Sequence, residues 1–299
     1  MGVLAGIAIG TALALLAPEL VLLLRPGLEP AFGVTMFLVG TLVRPEQLDL
    51  FFRSPARALS GLLAQYTIMP LAAFAFSRFF EDPAVRTGVV LVGCMPGAMA
   101  SNVMSVLLRG DLVLSVTLTT LATFLSPLVL SLWLPVLADA RMEVPVLSLA
   151  RDATVLVVLP VAAGIALRRM RPDLPPAYAR FATAAASAAI VLIVLVVVAA
   201  NRGRLANLGP GLLAALVGLN ASGYALAWGI ATALGWPPAA RRTLVVEVGM
   251  QNAGLGSVLA LAHLGEAGAV PSAFYTVLCV ITASLAVPVV ARRGGAGPG

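Results

Sequence analysis

Apolar residues run through this chain in stretches of about twenty, separated by short segments rich in arginine, proline or glycine. A helix needs ~20 such residues to cross a ~30 Å hydrocarbon core, whereas a barrel strand needs only about ten. The runs fall at 2–24, 30–43, 56–77, 87–108, 112–138, 144–167, 178–200, 207–234, 240–264 and 270–291. They predict an all-α polytopic membrane protein with ten transmembrane helices. The connections are brief, so 1–299 reads as one membrane domain with no soluble insert.

Composition strengthens that reading. Hydrophobic residues make up 60% of the chain and charged residues 11%, with mean hydropathy +1.02, far from the balance of water-soluble domains. The net charge of +6 could suggest nucleic acid, but its distribution argues for topology instead. With a cytoplasmic N-terminus and ten spans, Arg44, Arg53, Arg57, Arg109, Arg168, Arg169, Arg171, Arg180, Arg241, Arg242, Arg292 and Arg293 lie inside. Arg25, Arg78, Arg86, Arg141, Arg151, Arg202 and Arg204 lie outside. That excess follows the positive-inside rule, with both termini cytoplasmic, and leaves no nucleic-acid role. Lysine is absent, a compositional bias that fits a GC-rich bacterial genome and carries no functional weight; the expected location is a bacterial inner (cytoplasmic) membrane. The first span lacks a basic leader and is followed by many more, so it is expected to be retained. Cys94 and Cys279 sit in apolar spans and make neither a disulfide framework nor a transition-metal pattern.

Two spans depart from the apolar monotony. The fourth contains Cys94-Met95-Pro96-Gly97-Ala98-Met99-Ala100-Ser101-Asn102, with a Pro-Gly pair near its middle. Proline removes a helical hydrogen bond and glycine readily leaves helical angles, so this helix should be interrupted. The ninth contains Glu247-Val248-Gly249-Met250-Gln251-Asn252-Ala253-Gly254 and should be interrupted too. Half a chain separates them, as expected if two five-span inverted repeats, 1–141 and 142–299, each supply one broken helix. Such breaks free carbonyls for a cation and N–H groups for an anion, and neither is tolerated facing lipid.

Glu247 is the sharpest single feature. An intramembrane carboxylate costs about 2.5–3.5 kcal/mol on insertion scales and needs a cation or a proton. By itself it marks an ion site, a proton site, or a protonated side chain tying helices together. Ser115 and Thr119, four apart in the fifth span, share a face, and Gln65 lies in the third. Taken singly these are common helix-packing residues. With Glu247 they form an oxygen-only set suited to a hard cation. The sole histidine, His263, has no metal-binding companions and reads as a packing or helix-end residue.

Three phrases, in order, resemble the bile acid:sodium symporter family: Gln65-Tyr66-Thr67-Ile68-Met69-Pro70, Cys94 to Asn102 continuing to Arg109-Gly110, and Glu247 to Asn252. The resemblance covers essentially the whole chain. It implies a core of spans three to five and eight to ten (about 56–138 and 207–291) and a panel of the others (about 2–43 and 144–200), with the broken helices crossing in the core. It further implies two sodium ions. One would be held by Ser101, Asn102, Ser115, Thr119 and Glu247, the other by Gln65, Glu247, Gln251 and the carbonyls of Val248 and Met250. At the substrate position the family commonly has a second glycine and a small polar residue where this chain has Ala98 and Met99, and Cys279-Val280 replaces a polar pair of the last helix. Asn252 and backbone N–H groups remain for an anion, in a more apolar pocket.

The expected function is a sodium-coupled symporter importing an organic monoanion, bile acid-like or a small 2-oxo or hydroxy carboxylate, by alternating access within a lipid bilayer. A proton-coupled anion transporter or channel is the nearest rival. A membrane-embedded enzyme is a more distant one.

Overall fold

The computed structural model describes residues 2–44, 46 and 54–293. Arg53 lies outside the described residues, as do the side chains of Arg204, Arg292 and Arg293. The described chain is helical: α1 (Gly2–Leu16), α2 (Pro18–Leu22), α3 (Leu28–Gly40), α4 (Pro55–Ser77), α5 (Pro83–Cys94), α6 (Ala100–Leu107) and α7 (Leu112–Leu137). Then come α8 (Val146–Ala153), a π-helical turn (Thr154–Val158), α9 (Leu159–Met170), α10 (Pro176–Ala233), α11 (Pro238–Gly249), α12 (Ala253–His263) and α13 (Gly265–Arg293). Seven stretches among the described residues are long and apolar enough to cross a membrane, and two shorter apolar helices occupy Pro83–Cys94 and Ala253–His263.

The fourth expected span is interrupted between α5 and α6, and the ninth between α11 and α12. At Met95 and Met250 the backbone turns extended, at φ −70°, ψ 152° and φ −103°, ψ 91°. The two breaks meet. Gly97 pairs with Gln251 in antiparallel sense, the Ala98 N–H donates to Met250 O at 2.7 Å, and the Asn252 N–H donates to Pro96 O at 2.7 Å. Backbone groups released by each break are thus satisfied by the other, as a dry interior requires.

Two expectations need correction. The first run, 2–24, is not one helix: α1 ends at Leu16, Ala17 takes φ −134°, ψ 60°, and Pro18 begins α2. A residue before proline is pushed away from helical angles, which is the reason for the break. The loop expected between 200 and 207 is absent as well, because α10 is assigned helix from Pro176 to Ala233. Its course nevertheless reverses. Ile193 reaches within 3.7 Å of the Cβ position of Gly254, and Asn220 Nδ2 donates to Gly249 O at 2.8 Å. A straight helix would hold residues 193 and 220 about 40 Å apart, whereas 249 and 254 can be at most about 18 Å apart. Between those points Asn201 meets Glu266 O, so the chain folds back between Asn201 and Gly218, a stretch containing Gly203, Gly209, Pro210 and Gly211.

Packing separates into two apolar clusters. One, built on α4, α5, the first half of α7, the second limb of α10, α11 and α13, surrounds the crossing and includes Met69, Val92, Leu118, Leu216, Leu244 and Tyr275. The other joins α1, α3, α8, α9 and the first limb of α10 to α5, the distal half of α7 and α12, through residues such as Phe32, Met95, Leu134, Leu149, Ile193 and Leu259. The ends of the bundle are marked by Arg25 with Glu266 on one side and Arg57 with Trp236 on the other.

Candidate functional site

Helix α11 carries Glu247 to the crossing, where the side chain is fully buried. Three hydroxyls lie within hydrogen-bond distance of its carboxylate. Ser101, in the first turn of α6, donates to Oε1 at 2.6 Å, and Ser115 of α7 donates to the same oxygen. Thr119, one turn further along α7, has Oγ1 2.7 Å from Oε2 and 2.9 Å from Ser115 O, between which its one hydrogen must choose. Asn102 Oδ1 lies 3.4 Å from the same hydroxyl. The described ion pairs join Arg25 to Glu266 and Arg86 and Arg141 to Asp139, while His263 hydrogen-bonds Asp152; none of these reaches Glu247. A buried carboxylate held by neutral donors alone has its hydrogen bonds but lacks a balancing charge.

Across Gly97 lies a second group of oxygens. Gln65 on α4 and Gln251 in the second break are both 1% exposed. Gln251 Nε2 donates to Val248 O at 2.9 Å, while its Oε1 has no partner, nor has Gln65 Nε2. A Cβ built on Gly97 would sit 2.8 Å from Glu247 Oε2 and 3.6 Å from Gln65 Nε2, so both side chains converge on this glycine. The carbonyls of Val248 and Met250 already accept one bond each, from Gln251 Nε2 and Ala98 N, which leaves each a second lone pair. The unpartnered Oε1 of Gln251 and the two carbonyls are hard oxygens of the kind a monovalent cation takes, and Gln65, which turns its Nε2 toward Gly97, would offer its own oxygen only after its amide turns over. Among the described residues no His/Cys/Asp/Glu cluster suits a transition metal.

Ala98, Met99 and Asn252 are half-buried beside the crossing. Asn252 Oδ1 caps α12 by accepting from Leu255 N at 3.2 Å, leaving only its amide hydrogens for a ligand. Cys279 is buried, its thiol near Thr276 O at 3.5 Å. His263 ends α12 and pairs with Asp152 at 2.7 Å.

Sequence reasoning missed three supporting residues. Ser105, fully buried, donates to Ser115 Oγ at 3.0 Å. Asn220 and Tyr275 both donate to Gly249 O, at 2.8 and 2.9 Å, and hold the carbonyl where α11 ends. Ser105 had one usable signal, its position four residues beyond Ser101 on the same helix face.

The profile described as the sodium bile acid symporter family matches residues 29–208. The chain belongs to this family. Among its relatives, the uncharacterized sodium-dependent transporter YocS of Bacillus subtilis is 33% identical over 82% of the chain and 77% of its own length. The probable sodium/metabolite cotransporter BASS1 of Arabidopsis thaliana is 31% identical over 84% of the chain and 63% of its own length. The human sodium/bile acid cotransporter 4 is 31% identical over 74% of the chain and 52% of its own length. The chain thus spans less than two thirds of the plant and human proteins. These three relatives are named as transporters or cotransporters.

Proposed function

We propose that this protein is a sodium-coupled symporter of an organic monoanion, working with two sodium ions by alternating access. The observation that carries the reading is Glu247: fully buried, held by three hydroxyls, and without a cationic partner among the described residues. One sodium ion would take Ser101, Asn102, Ser115, Thr119 and Glu247. The other would take Gln65, Gln251, Glu247 and the carbonyls of Val248 and Met250. Glu247 would be common to both ions. The names of the relatives supply the sodium and leave the cargo at the level of a bile acid or another metabolite.

The architecture that goes with this function is ten crossings in two inverted halves, 1–141 and 142–299. A core of about 56–138 and 207–291 moves against a panel of about 2–43 and 144–200. Antiparallel contact of the two breaks and the reversal within α10 support it. The excess of arginine in the loops at the Arg57 end makes that end cytoplasmic, in a bacterial inner membrane. Ala98, Met99 and the amide of Asn252 would face the anion between core and panel.

Two sodium ions with one monoanion carry one net charge inward. A tenfold sodium gradient contributes about 1.4 kcal/mol per ion and 100 mV about 2.3 kcal/mol, roughly 5 kcal/mol together. That supports accumulation on the order of a thousandfold. The test is uptake by purified protein in proteoliposomes, with bile acids, 2-oxo acids and small hydroxy acids, with and without sodium. Sodium-stimulated uptake lost in Glu247→Gln is the expected result. Uptake driven by a pH gradient and indifferent to sodium would replace this reading with proton coupling.

A further inference from the structure

Three polar contacts join the two bodies of the symport reading at the Arg25 end. At the Arg25 end, Arg25, in the turn between α2 and α3, pairs with Glu266 at the start of α13 at 3.1 Å. Asp152, at the end of α8, pairs with His263, at the end of α12, at 2.7 Å. Asn201, 1% exposed, donates to Glu266 O at 3.1 Å. Each contact joins a panel segment to a core segment.

At the Arg57 end, four contacts among the described residues stay within one body. Thr41 and Tyr178, 3.0 Å apart, both belong to the panel. Arg242 with Arg109 O, Thr243 with Asp111, and Arg57 over Trp236 all belong to the core. Apolar packing shows the same asymmetry: the core's members of the cluster shared with the panel come from α5, the distal half of α7, α12 and the start of α13, and none from α6 or α11. A cavity of about 400 Å³ straddles the fastened end, lined by Arg25 and Leu28 on one side and Val258 and Leu261 on the other.

We propose that Arg25–Glu266 and Asp152–His263 form a two-point latch that closes the outer end of the seam between panel and core, so that this structure is the inward-facing state and both pairs must part for the substrate to enter from outside. The inference rests on the symport reading for its two bodies. Both pairs are part-exposed, with side chains 43% and 41% exposed for Arg25 and Glu266 and 13% and 38% for His263 and Asp152. Such pairs are individually weak, which suits contacts broken and remade in every cycle. The π-helical turn Thr154–Val158 begins two residues after Asp152, and turns of this kind are local adjustments in helix winding that recur at functional sites. It gives the panel a place to yield next to the latch.

The experiment places a reporter cysteine at Val258, 2% exposed and on the core face of the seam, and follows its labelling by a membrane-impermeant maleimide added outside. The native thiols Cys94 and Cys279 are buried, and the parent without the reporter supplies their background. Arg25→Gln and Asp152→Asn should each raise the labelling rate by up to about fivefold, the ceiling for a part-exposed ion pair, and together by more. Exchanging the charges, Arg25→Glu with Glu266→Arg, should bring the rate back toward the parent. Unchanged rates in the neutralised variants, or an exchange pair labelled as fast as Arg25→Gln, would overturn the latch. Should Val258→Cys not fold, Leu261→Cys serves as the reporter. Sodium-dependent thermal stabilisation of the same variants keeps the two ideas separate: its absence in the parent would count against sodium coupling, while the labelling rates would still decide the latch.

Discussion

Gly97 faces Glu247 so closely that a Cβ at position 97 would lie 2.8 Å from the carboxylate oxygen Oε2. The close approach lets the first break press against the carboxylate presented by the helix before the second. In Gly97→Ala the atom that must move is Oε2 itself, already bonded to Thr119. Stability should fall by no more than about 1–3 kcal/mol, the usual range for overpacking. The sodium concentration for half-maximal uptake should rise about tenfold or more. Sodium titration of uptake beside a thermal melt checks this, and an unaltered titration would remove the carboxylate from the ion site.

Ser115 and Ser105 form a relay that ends on Glu247. Ser115 donates to the carboxylate and accepts from Ser105, so deleting each hydroxyl should have graded effects. Ser115→Ala takes away a direct oxygen and should raise the half-maximal sodium concentration by about tenfold, the worth of one hydrogen bond to a charged group. Ser105→Ala only frees Ser115 to turn and should raise it by about twofold to threefold. Equal effects from both would mean that Ser105 itself contacts the ion.

Asn220 and Tyr275 hold the last carbonyl of α11 from opposite neighbours. Tyr275→Phe removes one of two donors to Gly249 O and should cost about 1 kcal/mol, with sodium dependence within about twofold of the parent. Combining it with Asn220→Ala orphans the carbonyl and should cost more than the sum of the single changes, since either residue alone can hold it. Denaturation of the two single variants and the double variant in detergent measures the coupling, and strict additivity would show the two bonds to be independent.

Beyond the end of α7, Asp139 accepts from Arg141 at 2.9 and 3.0 Å and from Arg86 at 2.9 Å. The Arg141 hydrogen bonds, then that of Arg86, hold its carboxyl well below the usual carboxylate range, and Arg141 is raised in return. A carboxylate depressed by folding contributes stability above its unfolded value of about 4, and loses it as pH falls from there through the folded value. Asp139→Asn should therefore melt below the parent at pH 7, with a gap that narrows only when the pH drops under about 4. A gap constant down to pH 3 would assign the loss to packing.

The helix breaks were legible because their chemistry is local. Pro96-Gly97 and the glycine-containing polar run from Glu247 to Asn252 both disfavour a continuous apolar helix from residue type alone. Ser115 and Thr119 were legible as one face because the helical repeat puts them there. Residues paired across the fold were not: Asp152 and His263 are 111 positions apart, and nothing local to either names the other. Between the expected spans 178–200 and 207–234 the backbone of α10 stays helical where a loop was expected. Arginine, asparagine and glycine mark a polar boundary without forcing the backbone out of helix, and Pro210 comes only later. Asn220 carries no local signal, since its partner Gly249 lies 29 positions away.

Thr243 fastens the loop between α6 and α7 to α11, and through it the hydroxyls to the carboxylate. Its Oγ1 accepts from Asp111 N at 2.7 Å and lies 3.2 Å from Asp111 O, while its neighbour Arg242 donates to Arg109 O at 2.6 Å. Arg109 has φ 56°, a left-handed conformation that a side-chain-bearing residue keeps only when its surroundings hold it. Ser101, Asn102 and Ser105 precede this loop, Ser115 and Thr119 follow it, and Glu247 is one helical turn beyond Thr243 on α11. Thr243→Val leaves the Asp111 N–H without its acceptor, at a cost of about 1–3 kcal/mol, and lets the hydroxyl-bearing helices shift against the carboxylate. Sodium affinity should therefore fall along with melting temperature, by about threefold to tenfold, although Thr243 is not among the proposed ligands. Thr243→Ser, which restores the hydroxyl, should recover both. A valine variant that melts lower yet keeps the parent's sodium titration would confine the clamp to folding and free the ion site from it.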